Sequence, residues 1–504
     1  MNNQDKHQND EQTKSKEITR RAFLKYSAGT AVCASLSPML FGCGGGATDG
    51  EMDSESLAFV NVTVIDATGR SAQPDMTVVV TGDRITSVAA TGNAELPARA
   101  RVIEGYGMYL IPGLWDMHVH LGDTSGAFLP LLVAHGVTSV RDMGNDMDVI
   151  KRFRREVEDG VLIGPRITST GSMIIGPDLW ELVETLAPPS IVEREARQRS
   201  VVSTPDEARR AVRDIARSGA DFVKLHDYPY AWPRETFFGV TQEARLVGLP
   251  VVGHLPNGPG LGELTLGEVS DAGFRSIEHH DYWLMRLDAL SRTARRELYA
   301  RFVHNDTAFV PTLIVPTRWS EFSALPDLDS RMSYALSGGR GKYISPTIRE
   351  NWRFLLSLKS DFSDPYLAYS GPYLAEMHRA GVRIMPGSDL ILPAMMPGSS
   401  LHDELELLGS WVGMTPHEIL QSATRHPAEF LGMQESLGTI EPGKIADLVL
   451  LEADPLEDIS NIRRINSVVV NGRLLDRNML NQLFEQAEIM ARGGQPRVSP
   501  DVRH

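Results

Sequence analysis

One repeated pattern in the middle of this chain limits its fold more than any other feature. An amphipathic stretch ends at a glycine, a short apolar run follows, and a polar or ionisable residue closes the run. The unit occurs at 135–142, 218–224, 247–254, 272–279 and 380–389. Glycine at the end of each amphipathic stretch is typical of a helix C-cap. Helices that alternate with strands predict a parallel sheet, and this many units predict an α/β fold with a closed (β/α)8 barrel over 112–430.

Two further segments carry a strand-rich pattern that differs from the repeat. Short β-branched runs separated by turns occupy 57–111, and runs with a hairpin signal return at 431–478. Neither segment has enough strands to bury a face by itself. We therefore expect them to pair into one small composite β-sandwich domain, with 479–504 as a C-terminal tail.

Several ionisable side chains fall at the predicted carboxyl ends of the barrel strands, where the βα loops form one mouth. In chain order these residues are His118, His120, Lys224, His254, His279 and Asp389. His118 and His120 share one strand face because side chains alternate. Lys224 points into the barrel, where burial lowers the pKa of an ammonium group and leaves an amine that can react with carbon dioxide. The sequence therefore predicts a metal site. Core histidines and a lysine paired with an internal carboxylate are the alternatives.

Charge and composition exclude some classes of function. The 504 residues carry a formal net charge of -15, and the basic residues are scattered along the chain. Because a nucleic-acid-binding surface normally needs a basic face, we expect no nucleic-acid partner. The hydrophobic fraction of 42% is ordinary for a globular protein with a large core or two domains.

The N-terminus predicts export. Residues 1–42 contain the twin arginines Arg20 and Arg21 and then an uncharged run that is too short to span a bilayer. They resemble a twin-arginine lipoprotein signal peptide that is cleaved before Cys43, with 43–56 as a tether. We expect export by the twin-arginine route and membrane attachment only through a lipid on Cys43, facing the periplasm or the cell surface. A degraded membrane anchor or a disordered tail is the alternative.

Cleavage would leave Cys43 as the only cysteine, because Cys33 lies in the signal. We therefore expect no internal disulfide, no cysteine nucleophile and no thiolate metal site.

The constellation of strand-end residues resembles the amidohydrolase superfamily, and the resemblance covers about 57–475. Short sequence motifs at 111–114, 276–279 and 386–389 resemble those of its imidazolonepropionase-like and prolidase-like branch. The resemblance implies one divalent ion on His118, His120 and Asp389. It implies a second ion on His254 and His279.

The same resemblance implies that Lys224 carries a carbamate derived from CO2, which bridges the two ions. Zinc is the favoured metal, because the ligands are imidazole nitrogens and carboxylate oxygens. Asp389 would take the proton of a bridging hydroxide and deliver it to the leaving group. His226 and Tyr228 are further candidates for substrate contact.

These features imply a metal-dependent hydrolase that cleaves an amide-like C–N bond in a small molecule of the dipeptide or N-acyl amino acid type. Deaminases of the superfamily carry a glutamate three residues after the histidine of strand 5, whereas Asn257 stands there in this chain. A lactonase or esterase on the same site, and a non-catalytic binding lipoprotein, are the alternatives. The sequence leaves the oligomeric state open, a homo-oligomer included.

Three smaller expectations concern residues around this site. The long aromatic-rich stretch 314–370 is typical of a structured loop over a site. His426-Pro427 stands where the superfamily usually has Asn-Pro, and we expect a helix entry there and no role in chemistry. His280 is expected either to support a metal-binding residue from behind or to be structural. Solvent exposure is expected for His135, His304, His378, His402 and His417.

Overall fold

The computed structural model describes residues 56–122, 125–226, 233–255, 264–279, 287–358 and 365–495. The predicted signal peptide, the tether up to residue 55, Tyr228 and His280 lie outside these ranges. Among the helices in the described ranges, none is long and apolar enough to cross a membrane.

The strands of the described ranges follow one another along the chain. They are β1 Ser56–Val64, β2 Gln73–Thr81, β3 Arg84–Ala90, β4 Arg101–Glu104, β5 Tyr109–Pro112, β6 Leu114–Val119, β7 Val137–Asp142, β8 Arg166–Ser169, β9 Met173–Ile175, β10 Arg199–Val201, β11 Val223–Leu225, β12 Val251–Gly253, β13 Phe274–Glu278, β14 Ala308–Val310, β15 Leu448–Leu451, β16 Ile465–Val470 and β17 Arg473–Leu475.

The helices also follow chain order. The α-helices are Phe128–Ala134, Met147–Glu158, Pro177–Leu186, Pro189–Gln198, Pro205–Ser218, Arg234–Val247, Leu266–Asp271, Arg292–His304, Ile314–Ser323, Leu328–Leu336, Pro346–Ser357, Pro365–Arg379, Ser399–Leu407, Pro416–Ala423, Arg425–Phe430 and Arg477–Ala491. Short 3-10 turns lie at Arg340–Tyr343 and Ile459–Arg463, and a π turn lies at Leu408–Val412.

One eight-stranded sheet joins the N-terminal and C-terminal segments. Its order is β17-β16-β15-β5-β1-β2-β3, with β4 on β1, and the antiparallel β5–β15 pair makes the junction. The Ile85 N–H donates to the Lys444 carbonyl at 2.9 Å and the Gly443 N–H donates to the Ile85 carbonyl at 2.7 Å, so β3 meets the segment before β15. The sheet therefore curls around a core that includes Phe59 and Leu448. The predicted sandwich of two sheets is corrected to a single curled sheet.

The middle of the chain forms a TIM-barrel-like α/β fold of parallel strands. These strands lie in two sheets, ordered β6-β7-β8 and β10-β9-β11-β12-β13-β14. The Asp221 N–H donates to the Ser169 carbonyl at 2.8 Å, which links β8 to the residues before β11. The segment 383–390 lies between β14 and β6. The Met385 N–H donates to the Phe309 carbonyl of β14 at 2.9 Å, and the Met117 N–H of β6 donates to the Pro386 carbonyl at 3.0 Å.

Side-chain alternation in β11 sets which groups enter the barrel. Phe222 packs in the interior cluster, whereas Val223 and Leu225 pack in the larger cluster formed with the helices. Lys224 lies between these two residues, so its side chain points inward with Phe222. The sequence analysis predicted the inward direction of Lys224.

Local signals position the helix that precedes β11. Thr204 and Glu207 form a capping box at the start of Pro205–Ser218. Gly219 ends the same helix with φ of +84°, a left-handed conformation that a residue with a Cβ rarely adopts. The glycine C-cap was predicted from the sequence.

Two segments differ from, or add to, the sequence predictions. The stretch predicted as a C-terminal tail begins with the helix Arg477–Ala491, which buries Leu480 and Leu483. His426 lies in the first turn of Arg425–Phe430, as predicted for a helix entry.

Of the histidines expected at the surface, His304 is exposed, whereas His402 is 1% exposed and its prediction was wrong. His402 Nε2 lies 2.9 Å from the His135 carbonyl. His135 is itself only partly exposed, and its Nδ1 lies 2.8 Å from the Leu131 carbonyl.

Candidate metal centre

The ends of the parallel strands bring the six predicted metal ligands to one place. These are His118 at the end of β6, His120 just beyond it, Lys224 in β11, His254 after β12, His279 after β13 and Asp389 in the segment 383–390. All of them except the fully buried His118 line one cavity, and His226 lines it too. Since parallel strands end at the same edge, residues far apart in sequence share one site.

His118, His120 and Asp389 form the tightest group of donor atoms. Asp389 Oδ1 lies 3.5 Å from His118 Nε2 and 3.5 Å from His120 Nε2. One ligand atom from each of the three residues lies within 4.8 Å of the others. Two imidazole nitrogens and a carboxylate oxygen in this arrangement can hold one divalent ion.

Lys224 stands beside this group with its amine buried. It is 1% exposed, and its Nζ lies 3.4 Å from His118 Nε2. Burial lowers the pKa of Lys224 to about 8, although the charges of Asp389 and Glu278 act in the opposite direction. Lys224 therefore loses its proton at a lower pH than a lysine in water does, as the sequence predicted.

His254 and His279 form the opposite side of the centre. Their ring centroids lie 4.8 Å apart, and the rings are nearly perpendicular. Both ring nitrogens of His254 are buried with no hydrogen-bond partner among the described residues. Burial holds the pKa of His254 well below its usual value, so the ring is neutral, which is the form that binds a metal.

The backbone is strained where two of these residues leave their strands. His279 has φ of +63° and Asp389 has φ of +51°, and neither residue is a glycine. The Asp389 N–H donates to the His118 carbonyl at 2.7 Å, and His279 Nδ1 lies 2.7 Å from Thr312 Oγ1. These bonds hold both side chains toward the centre, and such strain is typical of functional sites.

A buried ion pair supports His118 from behind, and no sequence pattern indicated it. Glu278 Oε2 lies 2.8 Å from His118 Nδ1, and both oxygens of Glu278 accept from Arg141 Nη2, at 2.7 and 2.8 Å. Arg141 also donates to the Met117 carbonyl at 2.7 Å and to Ser276. A carboxylate on Nδ1 places the proton there and leaves Nε2 of His118 to face the centre.

Asp116 supports the centre from a position lower in the same strand, two residues before His118. It accepts from the Ser388 N–H at 2.9 Å and from Ser388 Oγ at 2.6 Å, and burial raises its pKa to about 6. These bonds tie β6 to the segment that carries Asp389. Charged residues inside apolar strands were the only signal that could have identified Arg141 and Asp116 in advance.

The donor set fits two divalent ions. Four imidazoles, one carboxylate and a lysine whose carbamate would be a second carboxylate are ligands typical of zinc. The unpartnered nitrogens of His254 and the bond from His118 Nδ1 to Glu278 both suit metal ligation. The fold and the cluster of His118, His120 and Asp389 together are those of a TIM-barrel-like protein with a candidate metal centre.

Similarity to known proteins agrees with this class. Residues 109–475 match the model of a family described as the amidohydrolase family. The match covers most of the chain, so this protein belongs to the amidohydrolase family.

Individual relatives are similar to this chain at moderate sequence identity. The chain is 26% identical to an ochratoxinase from Aspergillus niger over 396 residues, which covers 69% of this chain and 71% of that protein. Over 89 residues it is 36% identical to an imidazolonepropionase from Pseudomonas fluorescens, covering 18% of this chain and 22% of that enzyme. Both similarities agree with the superfamily that the sequence motifs indicated.

Two solved structures show the same fold. The A. niger ochratoxinase superposes with a TM-score of 0.62 at 20% identity, over 84% of this chain and 96% of that one. A Xaa-Pro dipeptidase with methionine bound in its active site superposes with a TM-score of 0.61 at 22% identity, over 84% of this chain and all of that one.

Proposed function

We propose that this protein is a binuclear metal-dependent hydrolase that cleaves an amide-like C–N bond in a small molecule, of the dipeptide or N-acyl amino acid type. The observation that carries the proposal is the convergence of His118, His120 and Asp389, with donor atoms within 4.8 Å, beside the unpartnered His254 in one cavity. Membership of the amidohydrolase family supports hydrolysis. The fold shared with a dipeptidase supports a peptide-like bond.

We assign the metal-binding roles as the family resemblance implies. His118, His120 and Asp389 would hold one ion, and His254 and His279 would hold the other. When bound, the two ions would lower the pKa of a bound water and polarise the carbonyl group of the substrate. The hydrogen bonds that link 383–390 to β14 and β6 support a closed barrel of eight strands, which would keep the ligands in register.

Lys224 would supply the bridge between the two halves of the centre. Its neutral amine attacks the carbon of CO2, a C–N bond forms, and the nitrogen releases a proton to solvent, which leaves a carbamate. The position of Nζ, 3.4 Å from His118 Nε2, supports this role because the new carboxylate would extend toward the other histidines.

Asp389 would move the proton during hydrolysis. Its carboxylate lies 3.5 Å from the Nε2 atoms of both His118 and His120. In this position it can take a proton from the attacking water and deliver it to the leaving nitrogen. The strained backbone at Asp389 supports this role, because it holds the carboxylate over the site.

We also propose that the protein is exported through the twin-arginine route and is anchored by a lipid on Cys43. Twin-arginine translocation carries folded proteins, so the enzyme would acquire its metal before it crosses the membrane. The arginine pair and the cysteine box of the N-terminal sequence support this proposal.

A substrate screen with metal-loaded protein tests the catalytic proposal. Dipeptides, N-acyl amino acids and lactones are incubated with protein reconstituted with zinc, and release of each product is followed. We expect the amides to be cleaved, and the Asp389→Asn variant to keep its metal while kcat falls by about 10² to 10⁴. Asp403→Asn is the matched control, since Asp403 pairs with Arg318 and Arg463 away from the centre.

Two outcomes would contradict the proposal. Cleavage of lactones without cleavage of any amide would assign the site to an esterase. Fully metal-loaded protein that cleaves none of the three classes would indicate a binding protein.

A further inference from the structure

Two helical insertions between barrel strands line the cavity of the candidate metal centre and are joined by hydrogen bonds. The first contains the helices Pro177–Leu186 and Pro189–Gln198, and the second contains the helix Pro346–Ser357. Ser190 Oγ donates to Glu350 Oε1 at 2.7 Å, and Arg194 Nη2 donates to Asn351 Oδ1 at 3.1 Å. The two insertions therefore act as one wall of the cavity, and the predicted stretch 314–370 contributes to it.

The wall is mostly apolar on the side that faces the cavity. The first insertion contributes Leu179, Leu182, Leu186 and Ile191, and the second contributes Phe354 and Leu355. Leu182 and Leu186 are 37% and 50% exposed, although both are large apolar side chains. The free energy gained by removing apolar surface from water is proportional to the area buried. A ligand with an apolar group that covers these two leucines would therefore bind more tightly than one without it. The cavity, of about 330 Å³, suits a molecule of dipeptide size.

A cation, Arg199, directly follows the helix Pro189–Gln198 and lines the same cavity. Glu195 Oε2 holds one edge of the Arg199 guanidinium, with Nε at 2.8 Å and Nη2 at 2.6 Å. The third nitrogen, Nη1, is turned toward His226 and lies 3.5 Å from its Nδ1. The His226 ring in turn lies 4.5 Å from the His254 ring. The Glu195 carboxylate therefore orients the Arg199 guanidinium. The Nη1 atom of Arg199 points toward the candidate centre, and the His226 ring lies between Arg199 and His254.

The charges of the wall favour an anion. Its charged residues among the described cavity-lining residues are Arg194, Arg199 and Glu195, so one positive charge is in excess. The Arg199 side chain is 12% exposed, and a charge-assisted bond is stronger where water is largely excluded. A planar guanidinium also matches a carboxylate in shape.

We propose that Arg199 binds a carboxylate of the substrate while the wall built by the two insertions binds a bulky apolar group of the same molecule. The proposal rests on the proposed function and narrows it to amides that carry a free carboxylate and a large apolar side chain. Arg199 is then a specificity-determining residue, and Glu195 is the residue that positions it.

Kinetics with paired substrates test the proposal. The pair is N-acetyl-L-phenylalanine and its C-terminal carboxamide, in which a neutral carboxamide of similar size replaces the carboxylate, and release of acetate is measured for both. We expect Arg199→Gln to lower kcat/KM for the acid by about 10²-fold, mainly through KM, and to change the value for the carboxamide by less than about threefold. Arg197→Gln is the matched control, because Arg197 is 62% exposed on the preceding helix and pairs only with Glu193 among the described contacts. Equal losses for the acid and the carboxamide would overturn the proposal, since Arg199 would then serve only to orient His226.

The apolar wall is tested with a second substrate pair. N-acetyl-L-phenylalanine and N-acetylglycine share the carboxylate and differ in the side chain. We expect Phe354→Ala to reduce the preference for the phenylalanine compound by about tenfold and to leave the glycine compound nearly unchanged. A wild-type enzyme without preference for phenylalanine would refute the role of the wall.

A binding measurement separates failure of this proposal from failure of the proposed function. L-phenylalanine and L-phenylalaninamide are titrated calorimetrically into the zinc-loaded protein, with no turnover required. If L-phenylalanine binds at least tenfold more weakly to Arg199→Gln than to wild type, while no amide is cleaved, the hydrolase proposal fails and the anion site stands. If the amides are cleaved but neither ligand responds to the Arg199 substitution, the hydrolase proposal stands and the anion site is refuted.

Discussion

Replacement of Glu278 by glutamine should weaken metal binding although Glu278 is not itself a proposed ligand. The Glu278 carboxylate accepts from His118 Nδ1 at 2.8 Å, from Arg141 Nη2 at 2.7 and 2.8 Å, and from the Ser276 hydroxyl. Glutamine has one acceptor oxygen and no charge. Both carboxylate oxygens contact Arg141, so the new NH2 group must face a guanidinium, which has only donors.

The magnitudes follow from these contacts. A carboxylate bonded to the far nitrogen of a metal-binding imidazole raises its basicity, and loss of such a partner costs about 10–100-fold in metal affinity. Removal of one partner from a buried ion pair destabilises a fold by roughly 3–5 kcal/mol. Because folded domains have about 5–15 kcal/mol of stability, Glu278→Gln should fold at low temperature with a reduced Tm.

The assay is a competitive titration of zinc against a fluorescent chelator, at a temperature where circular dichroism shows folded protein. We expect Kd to rise by about 10–100-fold in Glu278→Gln. Ser276→Ala is the matched control, because it loosens the same network and keeps both charges, and its Kd should stay within about threefold of wild type. Folded Glu278→Gln that binds two zinc ions with wild-type affinity would refute the role given to Glu278.

Three further predictions concern the bridge, a buried carboxyl group and export. Lys224→Ala should lose metal and activity together, and short carboxylic acids should partly restore both, as measured by elemental analysis and by rate. Burial raises the pKa of Glu404 from 4.5 to about 8, so the unfolded chain loses this proton first and the folded state is progressively destabilised between pH 4.5 and 8. Glu404→Gln should therefore raise the free energy of unfolding at pH 8 by about 2 kcal/mol, after the cost of a buried amide, and not at pH 4.5, as measured by calorimetry at the two pH values. Replacement of Arg20 and Arg21 by lysine should trap precursor in the cytoplasm, and normal export and lipidation of that variant would contradict the signal assignment.

The proposed residues divide the cavity into two regions with different tasks. The centre at the strand ends would carry the chemistry, and the wall from the two insertions would select the substrate. Loops can vary without disturbing a barrel, so specificity in such a fold is expected to lie in the insertions.

The sequence by itself determined the features that depend on local periodicity. Alternation in β11 placed Phe222 and Lys224 inside and Val223 outside, and the glycine after each helix predicted where the strands begin. The six predicted metal-ligand positions followed from the same reasoning, because the ends of parallel strands meet at one edge in any such barrel. The family motifs added the assignment of each residue to an ion.

Only the tertiary structure decided the features that need contacts between distant segments. The pair of Arg141 and Glu278 joins residues 137 positions apart, and neither residue has a local signal that names the other. His402 is buried because its ring reaches the carbonyl of His135 across the fold, which a surface pattern in its own helix could not show. The wall that brings Arg199 and Phe354 to one cavity depends on the packing of two insertions against each other. Periodicity reports the face on which a side chain lies, whereas its partner on that face is set by which segments the whole fold packs together.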